Sequence, residues 1–105
     1  MKIIFEDPAL EELYLTGTTL DKKYKRLQKS VVKAYIKTVN YLRVSRRIED
    51  LYRINSLHYS KKTGDRSGQE FVRINDKYRL RLKSLPNSEG IFVFISLIEI
   101  IKHYE

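Results

Sequence analysis

The sequence predicts an α+β domain in which N-terminal helices pack on one side of a small curved, mostly antiparallel sheet. Three observations predict it. Tyr24, Leu27, Val31, Tyr35, Val39 and Leu42 recur at steps of three or four, the spacing of one helix face. Phe71–Arg73 and Tyr78–Leu82 flank Asn75-Asp76, a turn signal, so they read as adjoining strands. The run from Ile91 to about Ile100 is apolar on both parities until Glu99, as in a central strand covered on both faces. At 105 residues the chain is one domain, spanning 1–105, with room for a single core.

Taken in order, Lys2 to Phe5 is a short strand. Asp7-Pro8 opens a brief helix with proline in its first turn and Glu11-Glu12 near its positive end, and Gly17 closes it. Thr18 and Asp21 have the spacing of a capping box ahead of the long helix. Opposite its apolar face, Lys22, Arg26, Lys29, Lys33 and Lys37 form a basic ridge, with no acid between Lys22 and Arg47. Ser45 is an N-cap candidate for a further turn or two through Ile48, Leu51 and Tyr52. The chain is then extended at Ile54 to Tyr59 and looped from Ser60 to Gly68, and the two arginine-bearing strands follow. Pro86 to Gly90 turns into the last strand.

Charge is the strongest compositional signal. The net charge is +8, and from Asp21 to Lys83 there are 19 basic and 6 acidic residues, a local excess of +13. Such a field favours nucleic acid or an acidic partner over a neutral metabolite. An anionic membrane suits it less, because the basic residues are spread over helix, loops and strands. With no cysteine there is no disulfide, thiolate nucleophile or Cys-ligated zinc, in keeping with a reducing cytosol. The N-terminus lacks a signal-peptide apolar core, and Ile91 to Ile101 is too short to span a bilayer, so the expected location is the cytoplasm.

The arginines specify what the charge holds. Arg79 and Arg81 are two residues apart on one strand face, and Arg73 lies across the turn. Guanidinium groups bind phosphate oxygens bidentately and stay protonated as negative charge develops. Candidate proton-transfer groups are few: His58 and His103, each at a strand end, with tyrosine or lysine available where positive charge or burial lowers the pKa. No metal-binding motif, glycine-rich phosphate loop or nucleophile elbow occurs, so neither metal nor cofactor is expected.

Leu57-His58, then Lys61 or Lys62, Gly64 to Gly68, Val72-Arg73-Ile74-Asn75 and Tyr78-Arg79-Leu80 together resemble the HigB branch of the RelE-type bacterial toxins, whose pattern runs Leu-His, Lys-Gly-Asp, Val-Arg-Val-Asn and Trp-Arg-Leu. The resemblance covers nearly the whole chain. It implies a RelE-like fold and the toxin of a type II toxin-antitoxin system, a ribosome-dependent endoribonuclease cleaving translated mRNA by metal-independent attack of the RNA's own 2′-hydroxyl. It further implies a cognate helix-turn-helix antitoxin, ribosome and mRNA as partners, and DNA contact only indirectly, through the antitoxin complex.

By resemblance, His58 matches the catalytic histidine, Lys61 or Lys62 the loop lysine and Arg79 the main phosphate-binding arginine, while Arg66 and Arg73 match further basic positions of the RNA site. Arg81 joins this set as the same-face neighbour of Arg79. Tyr78 stands where the branch has Trp, and Lys102-His103-Tyr104 stands where it has Asp-Tyr-His. The second proton-transfer group is therefore His103 or Tyr104, the latter matching the terminal tyrosine of the RelE branch. The alternative reading is a non-catalytic RNA-binding module or inactive relative, which would keep the basic surface without the proton chemistry.

Overall fold

A computed structural model describes residues 1–62, 68–86 and 93–103. The loop motif from Gly64 to Ser67, with Arg66, lies outside the described residues, as do the expected turn from Asn87 to Gly90 and Tyr104. Strand β1 (Lys2–Phe5) precedes helix α1 (Pro8–Thr16), the long helix α2 (Lys29–Val44), the short helix α3 (Ile48–Arg53) and a 3₁₀ turn at Asn55–Leu57. Strands β2 (Ser60–Lys61), β3 (Glu70–Arg73), β4 (Tyr78–Pro86) and β5 (Val93–Lys102) follow. The five strands form one sheet in the order β1-β5-β4-β3-β2. All pairings are antiparallel except β1 on β5, so the sheet is mixed, with the first strand laid parallel to the last.

Local chemistry sets α1. The Asp7 carboxylate accepts from the Ala9 N–H at 2.9 Å, Pro8 takes the first turn, and Gly17, at φ 80°, donates its N–H to the Leu13 carbonyl. Helix α2 buries Val31, Val32, Tyr35, Thr38, Val39 and Leu42 and leaves Lys29, Lys33 and Lys37 exposed, the two-faced pattern read from the sequence. The fully buried Tyr35 donates its hydroxyl to the Leu10 carbonyl at 2.8 Å and so ties α2 to α1. Tyr35→Phe is expected to destabilise the fold by about 1 kcal/mol, seen as a lower urea midpoint at unchanged slope.

The core lies between these helices and one sheet face, where Val72, Leu80, Leu82, Ile95 and Leu97 are buried. The opposite face carries, by register, Phe71 beside Arg81, Arg73 beside Arg79, Arg79 beside Ile101 and Arg81 beside Glu99. A bulge opposite Arg81 and Leu82 gives β5 one extra residue, Ile98. Strand β5 is interior to the sheet as expected; on its far side Ser96 is buried against Glu6, while Phe94, Ile98 and Ile101 are half-buried, so that face is covered only in part.

Three local expectations are corrected. The long helix begins at Lys29, and residues 22–26 form a separate turn in which the Tyr24 and Lys25 N–H groups donate to the Asp21 carbonyl. The Thr18–Asp21 capping box does not form. Tyr24 accepts the Ile100 N–H at 3.2 Å and Lys23 pairs with Asp7, and these tertiary contacts swing the turn off the helix axis before Gln28. Ser45 ends α2, donating its hydroxyl to the Tyr41 carbonyl; α3 is capped by Asp50, which accepts from the N–H groups of Arg46 and Arg47. Residues 54–59 are not extended, because burying Leu57 requires the 3₁₀ turn, which ends at His58 in the left-handed region.

Candidate functional site

The far end of β2–β3–β4–β5, on the face without helices, forms a cleft of about 480 Å³ lined by His58, Ser60, Lys62, Phe71, Arg79, Ile101, Lys102 and His103. Five of these are basic or histidine, and among the described residues no carboxylate lines it. Phe71, buried on β3, supplies an apolar floor, and the Lys62 ammonium sits 5.9 Å from its ring centroid.

Arg79 is the best-fixed cation. Its Nη1 donates to the carbonyls of Asn75 and Tyr78, while the Asn75 side-chain oxygen accepts the N–H groups of Lys77 and Tyr78 and shapes the turn. The same turn receives the His103 N–H on the Lys77 carbonyl at 2.7 Å. One turn therefore seats both Arg79 on β4 and His103 at the end of β5. Partial burial first, and then the adjacent Arg73 cation, lower the Arg79 pKa from its ordinary value, with Asp76 opposing. An anion in the cleft would oppose both by favouring the charged guanidinium.

His58 enters from the other side. It sits at φ 44°, ψ 46° after the 3₁₀ turn, the one non-glycine residue with positive φ among the described residues. Conformations of this kind persist where the surrounding structure over-determines them, and they gather at functional sites. Leu57 and Tyr59 on either side are buried and His58 is exposed, so the imidazole is presented from a pinned corner.

The structure thus brings together His58, Lys62, Arg79 and His103. Of the two candidate loop lysines, Lys62 lines the cleft and Lys61 is not among its lining residues. Arg73 pairs with Asp76, and its influence on Arg79 is electrostatic. Arg81 pairs with Glu99, Nε to Oε1 3.2 Å, and lines a separate shallow groove with Glu6, Gln69 and Lys83. Sequence reasoning does not single out Ser60, Phe71, Ile101 or Lys102. Phe71 carries a legible signal, since it lies two residues from Arg73 and so shares its face. Lys102 continues the basic lining into a second groove with Arg26 and Lys77 near the start of α2. Among the described residues no group of three His, Asp or Glu side chains comes together, and no helix is long and apolar enough to cross a membrane.

Neither a protein-family profile nor a curated protein sequence matches the chain. Among solved structures, a YoeB/ParE toxin from Agrobacterium tumefaciens is similar over 99% of this chain and 100% of that one, with a TM-score of 0.54 and 18% sequence identity. The chain therefore has the small α+β fold of that toxin. The likeness is one of fold and does not select the HigB branch.

Proposed function

We propose that the chain is the toxin of a toxin-antitoxin pair and acts as a ribosome-dependent endoribonuclease on translated mRNA, in the cytoplasm. The observation that carries this reading is the cleft itself: two histidines, an oriented arginine and two lysines on an apolar floor, with no carboxylate among the described lining residues. The toxin whose fold the chain shares supports it. The motif order from Leu57-His58 to Tyr78-Arg79-Leu80 favours the HigB branch.

The residues suit cleavage by the RNA's own 2′-hydroxyl. That hydroxyl attacks the adjacent phosphorus and the bond to the 5′-oxygen breaks, so one group must take a proton and another must give one. His58 and His103 face the same cleft and divide these roles; Tyr104 remains a candidate for the second. The Arg79 fork, with Lys62 and Lys102, stabilises the charge that grows on the phosphoryl oxygens in the transition state. Arg73, Lys61, Arg66 and Arg81 are assigned to the wider RNA-binding surface, and the exposed ridge of Lys29, Lys33 and Lys37 to ribosomal RNA. A cognate antitoxin holds the chain inactive, and DNA is reached through it alone.

Expression of the chain without an antitoxin is expected to arrest growth, with RNA-end sequencing showing new cuts inside translated regions. Full growth arrest over intact messages would overturn the nuclease reading and leave an RNA-binding module.

A further inference from the structure

Glu70 is a charged residue placed where an apolar one would be expected. It is 2% exposed on β3, on the same face as the buried Val72, and it makes no ion pair among the described residues. Its carboxylate accepts the Tyr59 hydroxyl, the Ser84 N–H at 2.7 Å and the Ser84 hydroxyl at 2.8 and 2.9 Å. Burying a carboxylate costs several kcal/mol even after relaxation, and a leucine of similar size would fill the space without that cost. What the carboxylate supplies, and a leucine does not, is a direction for its donors.

The donor that matters is Tyr59, the residue after His58. Burial first, and then the Glu70 carboxylate, push the Tyr59 hydroxyl well above the usual tyrosine range, so it is always protonated and always able to donate. Its ring also meets Tyr52 of α3 edge-on, with centroids 4.9 Å apart. Tyr59 is therefore fixed at its tip and along its ring, and Leu57 on the other side of His58 is locked in the core. The left-handed corner between them has no freedom to relax into an ordinary backbone conformation.

We propose that Glu70 is a positioning residue: through Tyr59 it holds the corner that presents His58 to the cleft. Its effect on cleavage rests on the nuclease reading above; its effect on His58 does not. The test uses Glu70→Gln and Tyr59→Phe in the full chain, two substitutions that keep volume and remove either the charge or the donor. Single-turnover cleavage of ribosome-bound mRNA is expected to fall roughly tenfold in each with ribosome binding unchanged, since small misplacements of a reacting group cost rate rather than affinity. In a His58→Ala background the same substitutions should cost nothing further, whereas in an Arg79→Lys background they should cost their full factor. Equal losses in every background would indicate general loosening of the fold and sink the proposal.

NMR supplies the arm that needs no activity. The His58 amide and ring signals should shift in both variants, and its N–H should exchange faster, while those of Lys102 and His103 stay in place. His58 signals that hold their parental positions would overturn the clamp whatever the cleavage assay gives. If the parental chain cuts no mRNA, the nuclease reading fails and the NMR arm still decides the clamp. Should Glu70→Gln not fold, Tyr59→Phe, which leaves the carboxylate its Ser84 donors, carries both measurements.

Discussion

Arg79→Ala is expected to lower single-turnover mRNA cleavage by about 10²- to 10³-fold or more, the scale seen when one preorganised donor to a developing anion is removed. The folded state should survive at a cost of roughly 1 kcal/mol, because the alanine leaves the Asn75 carbonyl without the Nη1 donor it has now. Arg79→Lys should recover little of the rate. The guanidinium divides its work: Nη1 holds the turn carbonyls of Asn75 and Tyr78, and among the described residues Nη2 and Nε have no hydrogen-bond partner. A single ammonium can hold the turn or meet a phosphate oxygen, and it cannot do both with fixed geometry. Parental cleavage by the lysine variant would show that bulk positive charge is sufficient there.

His58→Gly should separate stability from activity in one protein. Left-handed backbone costs a non-glycine residue about 1–2 kcal/mol, and glycine returns roughly 0.5–1 of this through its greater freedom when unfolded. At φ 44° the glycine variant should therefore be about 0.5–1 kcal/mol more stable than the parent, measured by urea unfolding. The same change removes the proposed proton-transfer group and should lower cleavage by roughly 10²-fold or more. His58→Ala removes the ring while keeping the backbone penalty, so it should lose comparable activity without the gain in stability. Cleavage by the glycine variant at the parental rate would remove His58 from the reaction and leave the corner a matter of packing.

Much of this fold is written in short-range chemistry, and those parts are legible. Helix α1 needs only Asp7, Pro8 and Gly17, all within or beside its nine residues. The hairpin of β3 and β4 follows from two-residue alternation and from Asn75. What the sequence hides depends on distant partners. The break before Gln28 is enforced by a hydrogen bond between Tyr24 and Ile100, 76 positions apart, which no local pattern announces. The parallel seat of β1 is equally silent, since a four-residue strand of alternating exposure fits either edge of a sheet.

The candidate site divides the same way. Arg79, His58 and His103 are readable because their residue types are scarce or placed by alternation. Alternation alone makes Arg81 a phosphate ligand, whereas its pairing with Glu99 depends on a register that the bulge at Ile98 sets. Glu70 looks like an ordinary polar residue at a strand start; its burial requires the β2–β3–β4 layer to exist first.

The parallel pairing of β1 with β5 bears on when, under the proposed function, the chain would become active. Lys2 cannot find Phe94 until synthesis has passed that residue, and Ile101 to His103, which close the cleft, come later still. Pairing of such distant segments carries the largest loop-closure cost in the molecule and belongs to the slow end of folding. A nascent chain therefore has its helices able to form while the cleft is still unbuilt, and, if the chain is the toxin proposed above, that interval is one in which an antitoxin could meet it before it can cut anything.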